Sequence, residues 1–529
     1  MHLRQFIHDL HYDVEKVLPS DWEIDWANAP RPYKLYHEQP EVDLPGNVPL
    51  TLEEAPTHSL TELQRFSYFL WYVYGLNHCI ETPDFMGGSP VLRRYVPSGG
   101  ALYPTELYTY LKIEGLEEGI YHYNVAHHRL VLLRKGNYDA LLMQMLGGRC
   151  NVKECSGVIL VSTMFWKNFF KYHNFSYRLQ GLDAGVVIGQ LNEVAERLSY
   201  STAVYYCFLD RGVNRLFGIH EEEESAYALL PLYQSTLKEE GRIKDDPSAT
   251  SDQLCQQIPE LSLKTSSPEK KFGEYPMLIA MNKAAMLDSS RDFPRPEQEK
   301  NGKRTRNGGE GGEEKSSRIL FSEKKPLIYD FVKVCRQRFS PGMDFVLDKV
   351  EPEHLGQLCK EVAPLLGDHN GEGGRKLWED VDQPLFLYIS LYGVKGIPNG
   401  AYFYDGDHHG LKQLRTGDQR LWLQQGMTLH NVNLTQVPLC FHIAGMKDFG
   451  HDRLGERGYR MNQMKAGIIV QRLLLTATAL GWAGHPLLGF NSSLCDSLYN
   501  LSTCDQTCFI QIPVGPYRSR AQLIGSIYG

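Results

Sequence analysis

The chain repeats itself once, and its two copies have diverged in opposite places. Gly119, Tyr121, Tyr123, His127, His128 and Leu130 recur as Gly400, Tyr402, Tyr404, His408, His409 and Leu411, each pair 281 positions apart. Further on, Tyr177, Arg178 and Gly185 match Tyr459, Arg460 and Gly467 at a spacing of 282. A register held over this many identities marks two copies of one structural unit. The first copy has Pro97-Ser98-Gly99-Gly100 where the second has Leu377-Trp378-Glu379-Asp380. The second has Arg336-Gln337-Arg338-Phe339-Ser340 where the first has Ala55-Pro56-Thr57-His58-Ser59. Each copy keeps what the other lacks, as expected of one composite site between them.

Two repeats of roughly 200 residues plus a linker account for the 529 residues. Hydrophobic content of 42% and charged content of 22% are those of a soluble globular protein. A net charge of −8 argues against a nucleic-acid surface as the main function. The N-terminus has no apolar signal core, and Gln471 and Arg472 interrupt the most apolar stretch, Ala466 to Gly484, so no membrane span is expected. The 11 cysteines are odd in number and scattered, which points to reduced thiols and a cytoplasmic setting. No metal site is expected. Cys495, Cys504 and Cys508 lack a completing ligand set, and the doubled histidines occupy hairpins, where adjacent side chains point apart.

Apolar spacing predicts an N-terminal helix from Arg4 to Val17, an extended arm from Trp26 to Pro45 wrapping a neighbour, and a helix over Leu60 to Tyr74. The first copy continues with a strand (Glu106 to Ile113), a hairpin (Tyr121 to Leu133), a strand (Gly157 to Thr163) and a helix (Leu179 to Leu198). The second repeats that order at Leu385 to Leu391, Ala401 to Leu414, Leu439 to Gly445 and Met461 to Leu480. The polar stretch Lys244 to Lys270 and the Gly- and Glu-rich stretch Ser289 to Ser317 predict a disordered linker around a short helix, Tyr275 to Met286. The expected division is an arm, 1–50; a first domain, 51–240; a linker, 241–318; and a second domain, 319–529. Each domain is expected to be α+β, and the pair an internal pseudo-dimer.

Arg336, Arg338 and Ser340 alternate, so in extended chain they share one face and could clamp a phosphate; a solvated basic strand is the alternative. Arg518 and Arg520, in the C-terminal run Pro513 to Arg520, survive in the same copy, while the first copy's counterpart, Pro231 to Lys238, has lost both. In Pro97-Ser98-Gly99-Gly100 two glycines would let backbone approach a flat ring closely; a tight turn is the alternative. Gly484-His485, after the second long helix, could offer backbone N–H groups to a cofactor, unless Gly481 is simply a helix stop. Lys171-Tyr172 could supply a base and an acid if burial lowers the lysine pKa; otherwise the pair is a surface coincidence.

Together these motifs resemble the nitroreductase-like flavin mononucleotide (FMN) enzymes, and among them the SagB-type peptide azoline dehydrogenases. The resemblance is carried by Arg94-Tyr95-Val96-Pro97-Ser98-Gly99-Gly100-Ala101-Leu102-Tyr103-Pro104, Gly119 to Tyr123, Lys171-Tyr172, Tyr177-Arg178, the Arg-x-Arg-x-Ser element and Glu456 to Arg460. It implies two nitroreductase-like domains sharing one FMN site. The second copy would grip the phosphate through Arg336, Arg338, Ser340, Arg518 and Arg520, with Gly484 and His485 nearby. The first would offer Pro97 to Gly100 to the ring and Lys171 and Tyr172 for catalysis. The implied reaction oxidises a thiazoline or oxazoline in a peptide to thiazole or oxazole, with dioxygen as final acceptor and the peptide carried on a nonribosomal peptide synthetase carrier domain. A ribosomal-peptide azoline dehydrogenase, an NAD(P)H-dependent nitro or quinone reductase, and a binding scaffold with a decayed site are the alternatives.

Overall fold

A computed structural model describes residues 2–53, 59–80, 91–234, 248–266, 275–294, 318–322, 325–367, 383–519 and 524–526. Two seven-stranded antiparallel sheets share one topology. The first runs, edge to edge, Glu41–Asp43, Arg129–Lys135, Gly119–Asn124, Thr105–Leu111, Gly157–Met164, Glu224–Gln234 and Tyr200–Thr202. The second runs Ile319–Leu320, Gly410–Thr416, Gly400–Asp405, Phe386–Leu391, Leu439–Met446, Gln506–Gly515 and Ala483–Gly484. The central strands are buried on both faces along nearly their whole length, and each hairpin slips register at the same place, between Ile120 and Tyr121 and between Ala401 and Tyr402.

The repeated histidines belong to the hairpins. His128 and His409 close the turns with positive φ (51° and 45°), and each ring meets the tyrosine five residues earlier, Tyr123 or Tyr404, at 2.9 Å. The conserved register of the two copies therefore records a shared turn.

The long helices Ser176–Arg197 and Arg457–Ala479 cross at the centre and join the halves. Their approach is set by glycine. A Cβ on Gly185 would run into the Met464 carbonyl, and one on Gly467 into that of Leu182, its repeat counterpart. Tyr177 and Tyr459 stack across the same pseudo-twofold with centroids 5.8 Å apart. Buried ion pairs from Asp210 to Arg457 (2.7 Å) and Arg460 (2.9 Å) add a polar lock between the halves.

The N-terminal helix breaks at Asp13 into Leu3–Tyr12 and Val14–Val17 and lies on the second half, where the Tyr12 hydroxyl donates to Thr507 at 2.9 Å. The arm that follows returns to the first half, and its end, Glu41–Asp43, becomes the edge strand of the first sheet. The described linker segments, 248–266 and 275–294, are folded onto the first half: Arg134 donates to the Pro259 carbonyl and Leu287 N–H to Asp210. The short helix expected over Tyr275 to Met286 forms as Pro276–Ala284, while over 248–266 and 289–294 the expected disorder gives way to packing; 235–247, 267–274 and 295–317 lie outside the described residues. A small third sheet pairs Ile524–Ser526 from the C-terminal end with the first half's hairpin, Leu76–Ile80 and Val91–Arg94. Among the described residues no helix is long and apolar enough to cross a membrane.

Candidate active site

Strand Val91–Arg94 leads into the loop Tyr95 to Pro104. Three of its residues, Gly100 (φ 64°), Ala101 (57°) and Tyr103 (49°), are left-handed, which costs energy at the two non-glycine positions and marks a loop held by its surroundings. The holding group is Asp183, on the first long helix. Ser98 Oγ donates to its Oδ2 at 2.7 Å, Gly99 N–H donates to Oδ1 at 3.2 Å, and Tyr103 N–H donates back to Ser98 Oγ at 2.9 Å. Asp183 is 5% exposed, and burial pushes its carboxyl up to about 6 against the donors from Ser98 and Gly99.

Gly100 faces Lys171 and Tyr172. A Cβ there would stand 2.6 Å from the Tyr172 hydroxyl and 3.2 Å from Lys171 Nζ, so a larger residue would push the ends of both side chains away from the loop. Lys171 and Tyr172 end the short helix Trp166–Tyr172, which stops at His173 with φ 46°. The N-terminal arm holds that end: the Trp22 indole donates to the Phe170 carbonyl at 3.3 Å, and Trp166 donates to the Asn28 carbonyl at 3.2 Å. Burial lowers the Lys171 ammonium below its ordinary range. Burial, reinforced by the Asp183 carboxylate, pushes the Tyr172 phenol up to about 12. Burial thus disfavours the charged form of each, the Lys171 ammonium and the Tyr172 phenolate.

The second half supplies positive charge. The extended stretch expected at Arg336 to Ser340 is overturned at its start: Arg336 and Gln337 end a helix, Phe331–Gln337, capped by Asp330, which accepts from Lys333 N–H at 2.9 Å, and the chain leaves the helix at Arg338 (φ −57°, ψ 123°). The apolar pattern Phe331, Val332, Val334, Cys335 buries one helical face, so Arg336 lies in the last turn and Arg338 just beyond it. Arg336 reaches the Tyr95 hydroxyl of the first half. Burial, and then the guanidinium of first-half Arg93, lower Arg338. Opposite Arg93 in the strand pair, His78 is lowered by burial and then by Arg338, Arg336 and Arg93. The Nε atoms of Arg93 and Arg338 are buried without a hydrogen-bond partner among the described residues. Such crowding of like charge calls for an anion.

Ser340 follows two residues later, outside the helix. His485 joins it through Nδ1 to the Pro341 carbonyl at 2.8 Å, and Phe339 stacks on Tyr517 at 5.7 Å. The N–H offered by His485 is already committed to the Pro513 carbonyl at 3.0 Å, and burial lowers its imidazole pKa, so the ring and not the backbone is the group available there. Gly484 sits where a Cβ would lie 2.6 Å from Leu474, a packing reason for its glycine. Arg518 is exposed, with its backbone N–H on the Asp344 carbonyl at 2.9 Å. Arg520, Ala55 to His58 and Leu377 to Asp380 lie outside the described residues.

Arg336 and Arg338 of the second half thus lie beside Tyr95 and Tyr103, near the two ends of the loop whose Gly100 meets Lys171 and Tyr172. The motif reading missed Asp183, Arg93 and Trp22. Asp183 carried a signal, because its repeat counterpart is Lys465: a buried helix position with charge reversed between copies. At the other end of the first long helix, between Tyr200 and Thr202 and the second half's Glu361, a cavity is lined by Glu193 and Glu196, with Arg472 paired to Glu193 at 2.9 Å.

The Nitroreductase family profile matches residues 402–516. A crystal structure from Anabaena variabilis, provisionally named a nitroreductase, superposes with a TM-score of 0.72 at 21% identity, covering 98% of this chain and 99% of that one. The trifolitoxin-processing protein TfxB of Rhizobium leguminosarum bv. trifolii is 30% identical over 199 residues, covering 34% of this chain and 49% of that protein. A Methanocaldococcus jannaschii protein, MJ1384, provisionally named a nitroreductase, is 27% identical over 99 residues, 18% of this chain and 49% of its own. The chain spans about half the length of these curated relatives. Residues 402–516 thus match the Nitroreductase family profile, and the chain as a whole has the fold of a tandem pair of nitroreductase-like domains.

Proposed function

We propose that this protein is an FMN-dependent oxidoreductase that converts a peptide-borne thiazoline or oxazoline to the aromatic azole at one composite site. The observation that carries this reading is the placement of Lys171 and Tyr172 directly against Gly100, on the loop whose Tyr95 and Tyr103 neighbour Arg336 and Arg338 of the second half. The residues fit the cofactor on two counts. Among the described residues Arg93 and Arg338 present buried guanidinium nitrogens without partners, suited to a phosphate, and Gly100 brings loop backbone close to the Lys171 and Tyr172 side-chain ends that would face the ring. Bound FMN supplies a two-electron acceptor for the hydride leaving the ring.

Lys171, its charge disfavoured by burial, removes the ring proton that departs without its electrons. Tyr172 keeps its proton at neutral pH and donates a hydrogen bond to the ring heteroatom. Aromatisation supplies the driving force, and dioxygen serves as the final acceptor. TfxB's name as a trifolitoxin-processing protein supports a peptide substrate over a free nitroaromatic. The test incubates the yellow protein with a thiazoline peptide, free or on a carrier domain, and follows the mass loss of two hydrogens. Reduction of bound flavin by NADPH without azoline oxidation would overturn the proposal in favour of a nitro or quinone reductase.

A further inference from the structure

Asp183 belongs to none of the motifs that first pointed to the site, yet both its oxygens are engaged at the loop. Its surroundings are Ser98 and Gly99 from the loop, Asn168 and Tyr172 from the short helix, and Tyr74 from the helix Glu62–Tyr74, with Lys171 Nζ on the far side of Gly100. A hydroxyl has one proton to give and two lone pairs to offer. Ser98 gives its proton to Asp183 Oδ2 and accepts from Tyr103 N–H, so what remains for a ligand is one acceptor lone pair.

Adding one proton to Asp183 Oδ2 reverses this. The new carboxylic O–H donates to Ser98 Oγ, both serine lone pairs are then used, and the serine proton is freed to point outward. We propose that Asp183 is a positioning residue whose protonation decides whether Ser98 presents an acceptor or a donor to the ligand seated on the Pro97 to Gly100 loop. The switch moves one proton and no electrons. It rests on the reading that this loop carries the FMN ring. The ring edge is an acceptor when oxidised and a donor when reduced, so ionised Asp183 favours the reduced form and protonated Asp183 the oxidised one. Burial places this titration near neutrality, at about 6.

The test measures the dissociation constant of oxidised FMN, by quenching of its fluorescence, from pH 5 to pH 8. Asp183→Asn imitates the protonated acid, because its amide can donate to Ser98 while its carbonyl accepts from Gly99. The ratio of wild-type to Asp183→Asn dissociation constants cancels the titration of the FMN phosphate itself, whose second pKa is also ~6. We expect a ratio near one at pH 5, rising to roughly 3–10 above pH 7, the size of one hydrogen bond. Ser98→Ala should differ from wild type in the opposite sense, most at pH 5 and least at pH 8. A wild-type to Asp183→Asn ratio that stays constant over this range, or a Ser98→Ala difference that does not shrink with rising pH, overturns the switch. Failure of the wild-type protein to bind FMN at any pH overturns the cofactor reading as well.

Discussion

The two long helices are the same element used twice, and they differ where it matters. At the crossing they are equivalent: Gly185 and Gly467 admit each other's backbone, and Tyr177 stacks on Tyr459. One turn away, Asp183 of the first grips the Ser98 loop, while its counterpart on the second is Lys465. Elsewhere along the interface the first half's Arg93 faces Arg336 and Arg338, whereas the cavity by Tyr200 is lined by Glu193, Glu196 and Glu361. A pseudo-dimer keeps symmetry where backbones must pack and is free to drop it where ligands bind. In a dimer of identical chains every change appears in both sites; a fused tandem can repair one and spend the other on packing.

The comparison can be broken most sharply at Lys171. Lys171→Ala should lower azoline oxidation by ~10²–10⁴-fold and leave the protein yellow, because the base is lost and the cofactor contacts are kept. Full activity, measured as the two-hydrogen mass loss, would place the base elsewhere. The symmetric part is probed by Gly185→Ala and Gly467→Ala. Each drives a Cβ into a partner carbonyl, so each should destabilise by about 3 kcal/mol in denaturant unfolding, with the two values close to equal. A large inequality would show that the crossing is not equivalent from its two sides.

The asymmetric part is sharpened by Arg338→Ala, which should weaken FMN binding by about 1.5–3 kcal/mol, while Thr57→Ala at the counterpart position changes nothing. Released flavin should amount to one FMN per chain; two per chain would restore a second working site. The smallest effect concerns stability. Asp183 has a raised pKa in the fold, so the folded chain binds this proton more tightly than the unfolded one. Its contribution to stability is most favourable below about pH 4, falls as pH rises towards 6, and stays low above that. Asp183→Asn should therefore gain on the order of 2 kcal/mol at pH 8 and little at pH 4, read from denaturant midpoints.

Much of the scaffold was legible beforehand. Apolar patterning placed hairpins at Tyr121 to Leu133 and Ala401 to Leu414, found as Gly119–Lys135 and Gly400–Thr416, and 3.6-residue spacing gave both long helices to within a few residues. The segment Arg336 to Ser340 was misjudged because alternating arginines looked like strand, while the Asp330 cap and the Phe331, Val332, Val334, Cys335 face carry the stronger, helical signal. Asp183 was passed over because its partners are 84 and 85 positions away, a separation no local pattern reports.

By itself the sequence determined that there are two copies, which motifs each retains, and where strands and helices fall, because these rest on periodicity and local identity. Only the tertiary structure decided that Gly185 and Gly467 are a crossing point, that Gly100 stands against Lys171 and Tyr172, and that Arg93 joins Arg336 and Arg338 across the interface. Those facts depend on two backbones coming within contact distance after the chain has folded back on itself, and a linear order of residues does not hold that distance.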